Sequence, residues 1–257
     1  MEFLLLFTAG LLGGMLNSIA GGGTFITFPA LLMAGVPPIS ANATNTFAVS
    51  AGYISGSWAL RQELSVHKKS LTAILLLSLA GGSVGAWLLL QTPEQLFRQA
   101  IPWLLLFATL LFIFGESINR FFARLDMQHR HASVIGNGLS MLMLLLVSTY
   151  GGFFNAGLGI VILSYLSLAG YSNINAMNGI KLLISSVVSL IAIVIFIVDG
   201  VIAWYEGSMV LLGSLAGGYL AAHYSRSLSQ THVRKIVVFI SILITTYYFY
   251  EELVVHG

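Results

Sequence analysis

A block of sequence occurs twice in this chain, and any fold the chain adopts has to build both copies. The first copy holds Gly13-Gly14-Met15-Leu16-Asn17, the run Gly21-Gly22-Gly23, Ala34-Gly35 and a polar stretch, Asn42-Ala43-Thr44-Asn45-Thr46. The second holds Gly151-Gly152-Phe153-Phe154-Asn155, Gly157-Leu158-Gly159, Ala169-Gly170 and Asn175-Ala176-Met177-Asn178. Further along, Ser78-Leu79-Ala80-Gly81-Gly82 returns as Ser214-Leu215-Ala216-Gly217-Gly218, and Arg98 lines up with Arg234. Duplicated halves with glycine-broken, polar-dotted apolar segments are the sequence mark of a secondary transporter.

Composition decides the solvent. Only 8% of the residues are charged and 57% are hydrophobic, whereas a soluble domain carries about 25% charge. So few charges cannot coat a surface in water, so the chain is expected to face lipid. The net charge of +2 is set by topology rather than by a polyanionic partner, and nucleic-acid binding is set aside. There are no cysteines, which removes disulfides, thiol nucleophiles and cysteine-ligated metals. The first twenty residues resemble a signal peptide in hydropathy, but they lack a basic start, carry Glu2, and have an internal counterpart near 138–157; they are expected to be structure.

Ten apolar stretches fall near 3–20, 24–35, 41–60, 70–90, 100–117, 134–153, 158–169, 176–198, 207–222 and 233–250, five per half. The fold class expected is an all-α membrane protein of two inverted-topology repeats, with repeats at 1–118 and 132–257 and a cytoplasmic linker at 119–131. The stretches 24–35 and 158–169 are too short to span a core of about 30 Å, so they read as short or broken helices after glycine breaks. Alternating sides put Arg61, Lys68, Lys69, Arg120, Arg124, Arg130, Arg226, Arg234 and Lys235 on one face, against Arg98 alone on the other. By the positive-inside rule that face is cytoplasmic, which places both termini outside a multi-pass cell-membrane protein. An odd number of segments per half forces the copies to have opposite orientations. The acidic 199–206 loop matches the basic 61–69 loop in the repeat but falls on the other side.

The breaks carry the chemistry. Gly21, Gly22 and Gly23 would open the second segment, and Gly157 and Gly159 the seventh, leaving helix N-termini whose positive dipole ends suit an anion. Asn17 and Asn155 lie beside them. Asn42 and Asn45 share a helix face, with Thr44 between them, and Asn178 shares a face with Lys181. Lys181 is the one ionisable residue clearly inside an expected span, a placement that costs about 2.5–3.5 kcal/mol on insertion scales. Blander readings stand beside these: glycines permit close helix contact, Asn links helices, and Lys181 snorkels to the surface. For Gly81, Gly85, Gly213 and Gly217, with GxxxG spacing, helix packing is the reading of choice. No span shows an interior carboxylate for a proton relay, no catalytic set is evident, and nothing calls for a cofactor or a metal.

With glycines, polar stretches and duplication assembled, the chain resembles the TauE/SafE-type sulfite exporter family, also called toluene-sulfonate uptake permeases. The resemblance rests on Asn17 to Gly23 with Pro29, on Gly35 to Thr46, and on Gly151 to Gly159 with Gly170 to Lys181. It implies transport of sulfur-containing anions such as sulfite, thiosulfate, sulfoacetate or other sulfonates. Family members often place Thr before the later Lys, where this chain has Ile180. The function expected is therefore a carrier that moves a small anion by alternating access at a midplane site. Alternatives are a carrier of another anion or of a cation, or an intramembrane enzyme. A coupling ion, proton or sodium, is compatible, and carbonyls freed at the breaks could hold sodium. Substrate, direction and oligomeric state are left open.

Overall fold

A computed structural model describes residues 2–19, 22–64, 68–128, 137–171, 173–224 and 230–255. Among them the helices are α1 (Glu2–Ile19), α2 (Thr24–Met33), α3 (Pro38–Ala59), α4 (Arg61–Leu64), α5 (Lys68–Gln91), α6 (Glu94–Gln128), α7 (Asn137–Phe153), α8 (Leu158–Leu168), α9 (Ile174–Asp199), α10 (Trp204–Tyr224) and α11 (Gln230–Val255). The ten apolar stretches each become a helix, and α4 is an added single turn. The protein is all-α, with no strand among the described residues. α6 runs on to Gln128, so most of the expected linker continues a helix as its sequence turns polar. Low hydropathy there marks departure from lipid, not loss of helix.

Both short helices stop the same way. Val36 N–H donates to Leu31 O, five residues back, as Gly35 turns left-handed at φ +82. In the second half Tyr171 N–H donates to Leu166 O as Gly170 takes φ +84. These are Schellman-type ends, which consume carbonyls the helix can no longer use. Pro38 then starts α3, while the Asn173 side chain caps α9 by accepting from the N–H groups of Asn175 and Ala176. At ten and eleven residues, α2 and α8 rise only about 15 Å and 16 Å.

The halves interlock by exchange. α1, the first helix of one half, packs on α10, the fourth of the other; α5 packs on α7 in return. Gly10 meets Val210 and Gly14 meets Ser214, so α1 and α10 run parallel. Gly81 meets Leu145 and Gly85 meets Thr149 and Phe153, so α5 and α7 also run parallel. A Cβ on Gly217 would lie 1.9 Å from Leu11 O, and one on Gly85 would lie 2.0 Å from Thr149 O. The GxxxG glycines are thus contact faces, and backbones touch where lipid offers no hydrophobic drive. Equivalent helices pair antiparallel. Gly56 of α3 meets Leu182 of α9, while Thr44 reaches Ala203 beyond the far end of α9. Trp103 of α6 meets Phe249 of α11, and at the other end of the contact Phe112 O accepts from Arg234.

Apolar side chains fill the core and also coat the outside. Large apolar side chains such as Leu76, Phe114, Leu146, Val198 and Phe239 lie outside, with Trp58, Trp87, Trp103 and Trp204. Thr24, Thr27, Asn42, Thr44, Asn45, Ser185, Ser189 and Asn155 lie inside. Among the described residues four stretches, Leu71–Gln91, Glu94–Gly115, Ile174–Asp199 and Arg234–Val254, are long and apolar enough to cross a membrane. The interior combines an apolar core with backbone approach and hydrogen bonds, and α3 and α9 carry half of its described buried polar side chains.

Candidate substrate site at the helix breaks

The two breaks are built differently. Before α2, Gly22 takes φ +151 and Gly23 is helical, with its α-carbon so near Gly13 that a Cβ would lie 2.3 Å from Gly13 O. Gly21 lies outside the described residues. Before α8, Gly157 caps the helix at φ +75. The expected open N-termini are largely closed. Phe25 N–H donates to Gly22 O, and Ile26 and Thr27 N–H donate to Gly23 O. Leu158 N–H donates to Asn155 O, and Ile160 and Val161 N–H donate to Gly157 O. The glycines let the chain curl tightly enough for the break's own carbonyls to serve the first turn. What remains for a ligand is the dipole and the side chains around it.

The polar stretch of α3 is fully buried and divided among three tasks. Thr44 Oγ1 accepts from Ala203 N–H at 3.0 Å, tying α3 to the start of α10. Asn45 accepts from Thr27 Oγ1 and donates to Thr24 Oγ1 at 3.4 Å, fastening α2's first turn to α3. Asn42 donates through Nδ2 to Phe153 O at 2.8 Å, at the last residue of α7, and its Oδ1 has no partner. Asn17 is half-buried beside α3, its Nδ2 3.6 Å from where a Cβ on Gly52 would stand.

Around α8 the residues converge. Asn155, 2% exposed, accepts from the Tyr53 hydroxyl at 2.9 Å and donates to Ser189 Oγ at 3.2 Å, linking α3, the break and α9. Tyr150 OH donates to Ala156 O within the same break. Lys181 lays its stem over Gly159, whose Cβ would lie 3.4 Å from Lys181 Cδ, in ordinary contact. Its Nζ donates to Asn178 Oδ1 at 3.0 Å, and among the described residues no carboxylate pairs with it. Gly157, Gly159, Asn155, Asn178 and Lys181 thus surround one helix start, and Asn42 stands at the end of the preceding helix. Thr44 and Asn45 belong to other joints.

Tyr53 and Ser189 were not singled out by sequence, yet a signal was present. Tyr53 stands eleven residues after Asn42, and Ser189 eleven after Asn178. Three helical turns take almost the same number, so each extends its asparagine's face.

A family model described as Sulfite exporter TauE/SafE matches residues 6–248. The chain belongs to the TauE/SafE family. Its relatives within curated proteins are similar from end to end. A "Probable membrane transporter protein" of Haemophilus influenzae is 28% identical over 249 residues, covering 96% of this chain and 94% of the relative. "Probable membrane transporter protein ORF9" of Sinorhizobium sp is 28% identical, covering 92% and 88%. "Probable membrane transporter protein YfcA" of Escherichia coli K12 is 27% identical, covering 98% and 90%. No solved structure matches. This TauE/SafE chain is a multi-pass membrane transporter and not an enzyme, which removes the intramembrane-enzyme alternative.

Proposed function

We propose that this protein carries a small, sulfur-containing anion through the membrane by alternating access, with the anion seated where α8 begins. The observation that carries the reading is Lys181. Its stem lies against Gly159 in the first turn of α8, which is the positive end of that helix dipole, and its ammonium is held nearby by Asn178. Two positive features beside one another repel unless an anion lies between them. Asn178 anchors the lysine, and the Asn155 amide with the Gly157 backbone closes the seat from the break side. Asn17 faces this side from the first half, beside Gly52 of α3, while the Gly22 and Gly23 carbonyls serve the first turn of α2. The family's description as sulfite exporters supports a sulfur oxyanion, with sulfite, thiosulfate, sulfoacetate and other sulfonates as candidates.

The motion follows from the duplication. Two halves in opposite orientation can rock about a shared site, and each arrangement of one half mirrors an arrangement of the other. The antiparallel pairing of α3 with α9 and of α6 with α11 supports inverted repeats, since an in-plane two-fold reverses equivalent helices. The basic loops support a cytoplasmic α6–α7 connection with both termini outside. The test is flux of sulfite and of sulfonates in proteoliposomes. Lys181→Met should weaken the apparent affinity for the anion strongly, while Lys181→Arg retains part of it. Uptake by Lys181→Met at the wild-type rate and affinity would remove the anion seat.

A further inference from the structure

We infer that a monovalent alkali cation, of the size of sodium, binds between Asn42 and the C-terminal end of α7. Asn42 is 1% exposed. Its Nδ2 is committed to Phe153 O at 2.8 Å, which fixes the amide's orientation: turning it over would set two oxygens face to face. Oδ1 is therefore the atom left over, and it is buried without any partner. The hydroxyls of Ser78, Ser148 and Ser214 are also buried without a partner, but a hydroxyl can rotate toward one. An amide held by its Nδ2 cannot, so Asn42 Oδ1 is the fixed acceptor that calls for a ligand.

The surroundings select the ligand's charge. Gly151, Gly152 and Phe153 close α7, and the last carbonyls of a helix have no donor further along the chain. They also carry the negative end of the dipole, which favours a cation. Tyr150 O is already taken by Phe154 N–H and Ala156 O by Tyr150 OH, so these two are spent. The carboxylate of Glu94 lies one turn away at the start of α3, where it accepts from Ile39 N–H at 3.1 Å. A single carboxylate already engaged there does not give a divalent ion the several charged ligands it needs. A proton does not suit it either, because an amide oxygen and backbone carbonyls are too weakly basic to hold one. An alkali cation coordinated by neutral oxygens does.

The position gives the cation a role that rests on the function proposed above. The break 154–157 separates the end of α7 from the start of α8. A cation at the first and an anion at the second would sit on the two poles of one interrupted helix pair, each lowering the cost of the other. That is a direct route to cation–anion cotransport.

Purified protein should melt at a higher temperature in sodium chloride than in choline chloride of equal ionic strength, by mass action. Lithium and potassium arms report the cation's size. In Asn42→Ala the sodium-dependent increment should vanish whatever that variant's own melting point, and Asn42→Asp should respond at lower sodium concentration. Lys181→Met should keep the full increment, so failure of the anion seat and failure of the cation site read out separately. Absence of any alkali-dependent increment in the wild type, or an equal increment in Asn42→Ala, would overturn the site and leave water or packing to satisfy Oδ1.

Discussion

The starts of α2 and α8 are equivalent places in the two halves, and they are put to opposite uses. At α2 the neighbouring helix offers Asn45, whose amide is consumed by Thr24 and Thr27 of the short helix itself. At α8 the matching residue, Asn178, holds Lys181, and the short helix presents only Gly159. Three residues after Asn45, where the second half has its lysine, stands Ala48, fully buried. One copy is thus a closed polar joint and the other a cationic opening. In the proposed mechanism the duplication supplies a scaffold able to rock, while recognition of a single charge needs only one half. A second lysine at Ala48 would carry the insertion cost again without a second anion to offset it.

The largest effect expected from breaking this asymmetry is at the cation. A hydrogen bond to a charged group contributes about 1.5–3 kcal/mol, so Lys181→Met should weaken the apparent affinity for the anion roughly 10–100-fold in a flux titration. Next comes the closed joint. Gly23→Ala drives a Cβ against Gly13 O. It should cost about 1–3 kcal/mol of stability as overpacking, seen as a lower melting temperature in detergent, with substrate affinity preserved in the protein that folds. Tyr53→Phe deletes the hydroxyl that Asn155 accepts. A loss of about 1 kcal/mol is expected, with slower transport because α3 is no longer tied to the α8 side. The smallest effect belongs to Gly159→Ala, where the new Cβ meets only the flexible stem of Lys181. Its melting temperature should stay close to wild type, within about 0.5 kcal/mol in stability. A collapse at Gly159→Ala with tolerance at Gly23→Ala would reverse the contrast.

Much of the fold was legible because hydropathy and glycine spacing both act locally. Each apolar stretch became a helix, and Gly81, Gly85, Gly213 and Gly217 form contact faces as their spacing indicates. The extension of α6 to Gln128 was hidden because hydropathy reports the solvent around a segment and not its backbone. At the site, Asn178 and Lys181 were legible from their spacing of three. Tyr53 was not, since an aromatic in an apolar run looks like packing until its hydroxyl is seen on Asn155. The open N-termini expected at the glycine runs are closed because glycine also lets a chain fold its own carbonyls under the first turn. The division of labour between Asn42, Thr44 and Asn45 depends on helices far away in sequence, and no local pattern encodes it.

The asymmetry itself can be measured directly, because the chain has no native cysteine. Gly159→Cys and Thr24→Cys place one thiol at each helix start, and maleimide labelling of each is timed with and without a panel of sulfonates and carboxylates. A transported anion should slow labelling at Gly159→Cys and leave Thr24→Cys unchanged. Protection at Thr24→Cys, or no protection at Gly159→Cys by any anion that the protein transports, would contradict an anion seat at the start of α8.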